Sequence, residues 1–404
     1  MRIGIIGGGP AGMMCAIKAG ENHEVVLFEK NEKLGKKLFI TGKGRCNLTN
    51  YVDEKEFMKN LVRNPSFMFS SIYSFSPFTT YYYFEDLGLP LKVERGDRVF
   101  PASDKSSDVI KAYEKKLRQV GVEVRLNTEV RSIKKDGEVF ILNDREKFDK
   151  VVIATGGLSY KLTGSTGDGY RFGKEFGHKL VEPKPGLIGI NLSNNFDLAG
   201  LSLKNVELRV EKDKKVISRE FGEMLFTHRG ISGPIVLTSS SKINRMGDFD
   251  LYLDLKPALT SDKLDKRILR DFDENQNKNL ENVMKNLLPR DLISYVLDEA
   301  KVHGDNKVNQ ITKEEREELV KTIKNFKLRF DSLDDINRAI VTSGGIDVKD
   351  LDPKTMESKL VKGLYFIGEV IDVDGLTGGY NIQVANSTGY SCGINLEAFT
   401  YFQK

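Results

Sequence analysis

Residues 2–29 read RIGIIGGGPAGMMCAIKAGENHEVVLFE. The apolar run from Arg2 to Ile6 leads directly into Gly7-Gly8-Gly9-Pro10-Ala11-Gly12. Met13 to Gly20 then has helical character, and Glu24 to Phe28 returns as a buried strand closing on Glu29. The spacing predicts a strand–turn–helix–strand unit of the dinucleotide-binding type. Gly7 permits the tight turn, Gly9 lets a pyrophosphate approach the backbone, and Gly12 allows close packing of helix on strand. Pro10 and Ala11 open a helix whose unpaired N–H groups suit phosphate. Glu29 stands 22 residues after Gly7, where a carboxylate receives ribose hydroxyls and repels a 2′-phosphate. The ligand expected is FAD or NAD rather than NADP; a purely structural glycine turn is the alternative reading.

The choice between FAD and NAD rests further along. Val151 to Gly157 (VVIATGG) is a second buried strand ending in small residues, Thr155, Gly156 and Gly157, suited to close approach of a dinucleotide. Gly368-Glu369 follows another strand, and Gly378-Gly379-Tyr380-Asn381 opens a late helix. The positive end of such a helix would stabilise negative charge on a reduced flavin. An ordinary helix cap explains the same letters, but beside the first motif they favour FAD. No second GxGxxG occurs, so a nicotinamide donor, NAD(P)H, is expected to bind only transiently, at the flavin face or in the substrate pocket.

Composition narrows the class. The 404 residues are 39% hydrophobic and 30% charged, which describes a soluble chain with a sizeable core. Sixty-two basic against 58 acidic residues leave +4, too little for a nucleic-acid-packaging protein though compatible with a local basic groove. Three scattered cysteines and four histidines without a CxxC pair argue against a structural metal and against a disulfide scaffold. The first apolar run is crowded with glycine and has no small-residue cleavage site, and no stretch approaches a membrane span. A cytoplasmic, non-membrane protein is expected; oligomeric state leaves no sign in the sequence.

The expected organisation is α/β. A discontinuous Rossmann-like FAD-binding domain, 1–187 with 340–404, carries an inserted β-barrel-like module, 188–257, and a helical segment, 258–339. The break is placed at Pro183-Lys184-Pro185. Within the first domain Asp104 to Gly121 reads as a helix, and VEVRL, EVRSI, EVFIL and KVVIA as four short strands. Three of these suit an antiparallel meander before the fourth rejoins the main sheet. Gln383 to Phe399 reads as a closing helix.

Several residues offer chemistry beside a structural alternative. Thr41-Gly42-Lys43-Gly44-Arg45-Cys46-Asn47 lies soon after Glu29, preceded by Lys36 and Lys37. There Arg45 can pair with pyrophosphate and Gly44 lets the backbone run close to it. Cys46 is either a proton donor to a substrate carbon or a buried packing residue. His228, in FTHRGISGP, is either a general acid or a turn-holding hydrogen-bonder. Thr163 to Gly169 (TGSTGDG) either binds an anion or enters a helix with Asp168 as cap. Eleven Phe or Tyr between Asn50 and Phe84 either stack a planar substrate or base, or form core.

Taken together, IGGGPAGMMCA, EKNEKLGKKLFITGKGRCNLTN, RVFP, VIATGG, TGSTGDGY, FTHRGISGP and GEVIDVDGLTGGYNIQVA resemble the BaiN/RdsA-type NAD(P)/FAD-dependent oxidoreductases, also called YhiN-like or aminoacetone-oxidase-like flavoproteins. The match runs almost end to end. Lys43 departs from it, since many relatives carry glycine there. The resemblance implies a two-dinucleotide-binding-domain flavoprotein fold with an inserted module. It also implies reduction of carbon–carbon double bonds, either in a small polycyclic enone or in a uridine of large-subunit ribosomal RNA. Hydride would come from the reduced flavin and a proton from Cys46 or His228. The full flavin set expected is Gly7, Gly9, Pro10, Ala11, Gly12, Glu29, Lys30, Lys37, Gly44, Arg45, Cys46, Val130, Thr155, Gly156, Gly157, Gly368, Glu369, Asp374, Gly378, Gly379, Tyr380 and Asn381. An oxidase of a small amine or alcohol, and a flavin-bound RNA-binding factor without turnover, are the alternatives.

Overall fold

The computed structural model describes residues 1–396. The closing helix expected to reach Phe399 is Tyr380–Asn395, capped by Leu396, and 397–399 lie outside the described residues. Two compact units divide the chain: Met1–Gly186 with the segment from Asp335 onward, and Leu187–Asp334.

The first unit is built on a five-stranded parallel sheet. Its strands are β1 (Arg2–Ile6), β2 (Glu24–Phe28), β3 (Glu123–Arg125), β4 (Lys150–Ile153) and β5 (Leu364–Phe366), in the order β5-β4-β1-β2-β3. Ile5 pairs with Leu27 on one side and Val152 on the other, so β1 is central. Strands β1, β2 and β4 are covered on both faces, which is why they read as continuous apolar runs rather than alternating ones. On one face sits an antiparallel meander of Ile133–Asp136, Val139–Leu142 and Glu146–Phe148, touching Gly4 through Leu142 and Phe148. The helices α1 (Pro10–Gly20) and α2 (Tyr380–Asn395) pack tightly together. A methyl carbon on Gly389 would lie 2.4 Å from the carbonyl oxygen of Ala11, and one on Gly393 2.9 Å from that of Cys15.

The meander differs from expectation in its members. VEVRL supplies β3, an edge strand of the parallel sheet beside β2, and the third meander strand is Glu146–Phe148. Short alternating strands look alike whichever sheet they join, and the partner is chosen by tertiary packing. The Pro183-Lys184-Pro185 segment is itself a strand, Leu180–Gly186, paired antiparallel with Val341–Ile346. That pair carries the chain out of the first unit and back.

In the second unit seven strands form one sheet, running Phe326–Leu328, Asp250–Asp254, Ser202–Lys212, Lys215–Phe226, Gly230–Ser232, Ile190–Leu192 and Phe330–Leu333 across its width. Helices Ser261–Asp273, Arg290–Ala300 and Lys313–Lys324 share its apolar core through Ile268, Ile293, Val296, Leu319 and Ile323. No ladder among the described residues joins the two edges of this sheet, so the module expected to be barrel-like is an open sheet. The two edge strands are consecutive in the chain and separated only by Arg329, so the seam is crossed by a covalent link and by no ladder among the described residues. Arg329 is held there by Asn194, whose side-chain oxygen accepts from its amide at 2.5 Å.

Candidate functional site

The carboxyl ends of β1, β2, β4 and β5 lie along one edge of the parallel sheet, and the order reverses between β1 and β4. A crevice at that point is where open α/β sheets bind ligands. Gly7, Glu29, Thr155 and Gly368 each follow one of these strands directly or within two residues.

The three motif glycines differ in what surrounds them. Gly7 sits at φ +111°, and a methyl carbon there would lie 2.4 Å from the Ala154 carbonyl oxygen. On Gly12 it would lie 1.9 Å from the Gly7 carbonyl oxygen. Both are demanded by the protein's own packing. Gly9 is different: its backbone is extended at φ −79° and nothing stands within 4 Å of the place a side chain would take. The amides of Gly9, Ala11 and Gly12 have no acceptor among the described residues, and Pro10 has no N–H to offer. An uncapped helix start with open space above it is a phosphate cradle.

Glu29 is 8% exposed and already oriented. One carboxylate oxygen accepts from the Gly8 amide at 2.9 Å; the other accepts from the Asn31 amide at 2.8 Å and its side-chain amide at 2.6 Å. Three donors leave about one lone-pair site, on the oxygen that Gly8 holds, for a ribose hydroxyl. Asn31 reaches on to the Thr163 carbonyl at 3.1 Å. Beside it, Lys30 binds Asp168 at 2.7 Å and Thr166 at 2.5 Å. Val130 is buried in the loop after β3, and neither its amide nor its carbonyl has a partner among the described residues.

Toward β5, Lys37 binds both oxygens of Glu369 and the Ser159 hydroxyl at 2.7 Å, while Glu369 also accepts from the Thr342 amide at 2.8 Å. Gly156 takes φ +73°, and a methyl carbon on Gly157 would lie 2.4 Å from the Thr342 hydroxyl. At the start of α2, Gly378 and Gly379 both have positive φ, and the turn before them is closed by Asn381, which exchanges hydrogen bonds with both backbone groups of Gly375. Asp374 is wholly buried in that turn, and its carbonyl accepts from the Val62 amide at 2.8 Å. Tyr380 packs on Phe57 at 5.0 Å between ring centres. The uncapped helix start at Gly9, the ready carboxylate of Glu29 and the glycine turn at α2 fit an extended dinucleotide such as FAD.

The chain matches the HI0933-like protein Rossmann domain model over residues 1–395. It belongs to the HI0933-like family. It is similar to the 3-dehydro-bile acid Δ4,6-reductase of Clostridium scindens, 30% identical over 97% of this chain and 98% of that one. It is equally similar to the ribosomal RNA dihydrouridine synthase of Escherichia coli, 31% identical over 98% and 97%. Among solved structures, the 3-ketosteroid-Δ4-(5α)-dehydrogenase of Rhodococcus jostii aligns over 98% of this chain and 96% of its own, at 14% identity and a TM-score of 0.47. This HI0933-like chain is a flavin-dependent oxidoreductase.

The remaining expected residues fall in three surroundings. Gly44 is left-handed at φ +83° with open space around it. Arg45 has its guanidinium held by Glu94 at 2.9 Å and Asp104 at 3.2 Å, over the Phe100 ring at 4.0 Å, an arrangement complete without a phosphate. Cys46 has no exposed surface, and burial pushes its thiol up to about 12 against a smaller opposing effect of its hydrogen bond with Thr41. His228 is exposed, in the turn before the strand Gly230–Ser232 of the second unit. The described residues contain no cluster able to hold a metal, and none of their helices is long and apolar enough to cross a membrane. Asn31, Ser159 and Thr342 were missed because single polar residues carry no spacing signal.

Proposed function

We propose that this protein reduces a carbon–carbon double bond conjugated to a carbonyl, with NAD(P)H as electron source, and that the bond belongs to a uridine of large-subunit ribosomal RNA in the cytoplasm. What carries the reading is near-full-length likeness to two enzymes whose names both denote saturation of such a bond. A small polycyclic enone is the second reading, supported by the bile-acid reductase likeness.

Bound FAD supplies a hydride to the electron-poor alkene carbon. The chain's own residues do the rest. Gly9 and the amides of Ala11 and Gly12 take the pyrophosphate, and Glu29, aimed by Gly8 and Asn31, takes the ribose. Lys37 and Glu369 fix the segment after β5, and the positive end of α2 would stabilise negative charge on a reduced flavin held there. With one dinucleotide fold in the chain, NAD(P)H shares the substrate's space and leaves before substrate enters. The neighbouring carbon needs a proton. Cys46 has no exposed surface from which to reach a substrate carbon and is read as a packing residue; His228 is the candidate donor that remains.

The test is nucleoside mass spectrometry of large-subunit rRNA with and without the gene. Loss of dihydrouridine on deletion, restored by the wild type, supports the RNA reading. Unchanged dihydrouridine overturns it in favour of the enone.

A further inference from the structure

The aromatic run between Asn50 and Phe84 divides sharply on burial. Phe57, Phe75 and Phe84 are core, whereas Tyr82 is 58% exposed. Tyr82 belongs to a surface cluster: its ring lies 5.4 Å from Tyr81, Tyr81 lies 5.1 Å from Tyr51, and the Tyr51 and Tyr82 hydroxyls are 3.3 Å apart. The Tyr51–Tyr81 and Tyr81–Tyr82 contacts are edge-on, at 66° and 80°, so these rings do not cover one another face to face.

Basic charge adjoins the tyrosines. The Tyr51 amide donates to the Asp97 carbonyl at 2.6 Å, placing the turn Arg95-Gly96-Asp97-Arg98 alongside. Arg95 and Arg98 are exposed, and neither has a carboxylate partner among the described residues. Asp97 is the one acid in the turn, leaving it net positive.

The cluster is also registered to the site. Asn50, 3% exposed, donates through its side-chain amide to the Gly96 carbonyl at 3.1 Å and to the Gly378 carbonyl at 3.2 Å. A single buried side chain thus ties the arginine turn to the glycine turn before α2. Thr49, next to it, bonds Gln383 one turn into that helix at 2.6 Å. An exposed tyrosine flanked by two part-buried ones, two arginines without a carboxylate partner among the described residues, and attachment through Asn50 to the turn before α2 coincide in one place.

We infer that Tyr51, Tyr81 and Tyr82 with Arg95 and Arg98 form a binding surface for single-stranded RNA flanking the reacting uridine, with a neighbouring base stacked on Tyr82 and backbone phosphates on the two arginines. The inference rests on the RNA reading above. Stacking on an aromatic side chain tolerates any base, and arginines add salt-sensitive affinity. A polycyclic enone has no phosphate for Arg95 and Arg98 to meet.

The experiment uses the FAD-loaded protein and a fluorescein-labelled single-stranded oligouridylate, read by anisotropy across a salt series. Tyr82→Ala should weaken binding about ten-fold while Tyr82→Trp retains it. Arg95→Gln with Arg98→Gln should lower the slope of log affinity against log salt by about 1.4. All three changes are at the surface, and flavin content and melting temperature should match wild type. If wild type binds and the variants bind equally, and they restore rRNA dihydrouridine in the deletion strain as fully as wild type, the surface is wrong and the RNA reading stands. If wild type binds no RNA and deletion leaves dihydrouridine unchanged, both fall.

Discussion

Lys37 places its ammonium 2.8 and 2.6 Å from the two carboxylate oxygens of Glu369. The pair joins the beginning of the discontinuous first unit to its end. It lies beside the Gly156-Gly157 turn, where a methyl carbon on Gly156 would come within 3.9 Å of Glu369. Both side chains are about four-fifths covered, so breaking the pair leaves a largely desolvated carboxylate with only Ser159 and the Thr342 amide as donors. Lys37→Met should cost about 1–3 kcal/mol of stability and weaken FAD retention. Adding Glu369→Gln should cost less than the sum of the two single changes. Simple additivity in thermal melts would mean the contact contributes nothing.

Gly9 and Gly12 separate folding from cofactor binding. Gly9→Ala meets empty space in a backbone conformation open to any residue, so the apoprotein should fold as well as wild type. A methyl group in the phosphate cradle should reduce FAD affinity at least about ten-fold, about 1.4 kcal/mol. Gly12→Ala pushes a carbon onto the Gly7 carbonyl and should cost about 3 kcal/mol or more by overpacking. Flavin absorbance against circular dichroism distinguishes the two. Gly9→Ala protein purifying with full flavin would remove the pyrophosphate from this turn.

These glycines show what the sequence makes legible. Their roles follow from short-range sterics, in which strand, turn and helix are neighbours in the chain, so the spacing alone places them. Glu29 is legible for the same reason. Lys37 and Glu369 could each be placed near the cofactor, but their pairing spans 332 residues and no local pattern announces it. The same limit explains β3, whose alternation fits either sheet, and the second unit's seam at Arg329, since closure depends on curvature rather than on strand content. Cys46 stands apart. Its neighbours GRCN suggest a site, and only burial, a tertiary property, shows that its thiol faces core.

Cys46→Ala should therefore retain FAD and full turnover, with a loss of about 1 kcal/mol from the vacated volume. His228→Gln is the converse: on an exposed turn it should leave stability unchanged and reduce kcat about 100-fold if the imidazole delivers the proton. Single-turnover oxidation of reduced enzyme by substrate reads both. Turnover lost in Cys46→Ala with FAD still bound would return the thiol to the chemistry.

His178 gives the first unit a pH limit. It is buried against Phe366 at 4.8 Å between ring centres. Its Nε2 lies 2.7 Å from the Ser358 hydroxyl and its Nδ1 3.2 Å from the Gly173 carbonyl. Ser358 already accepts from the amides of Leu360 and Val361, so its own hydrogen points to Nε2 and the neutral imidazole satisfies both contacts. Burial lowers the His178 pKa below its ordinary 6.5, against smaller opposing effects of the Gly173 carbonyl and Asp350. Above pH 6.5 the ring is neutral both folded and unfolded, and its contribution to stability is complete. As pH falls below 6.5 the unfolded chain takes up a proton first, so stability declines until the folded pKa is reached. The melting temperature of wild type should therefore fall between pH 7 and pH 5 by more than that of His178→Asn, which starts lower and lacks this step. Parallel curves for the two proteins would show that another group sets the acid limit.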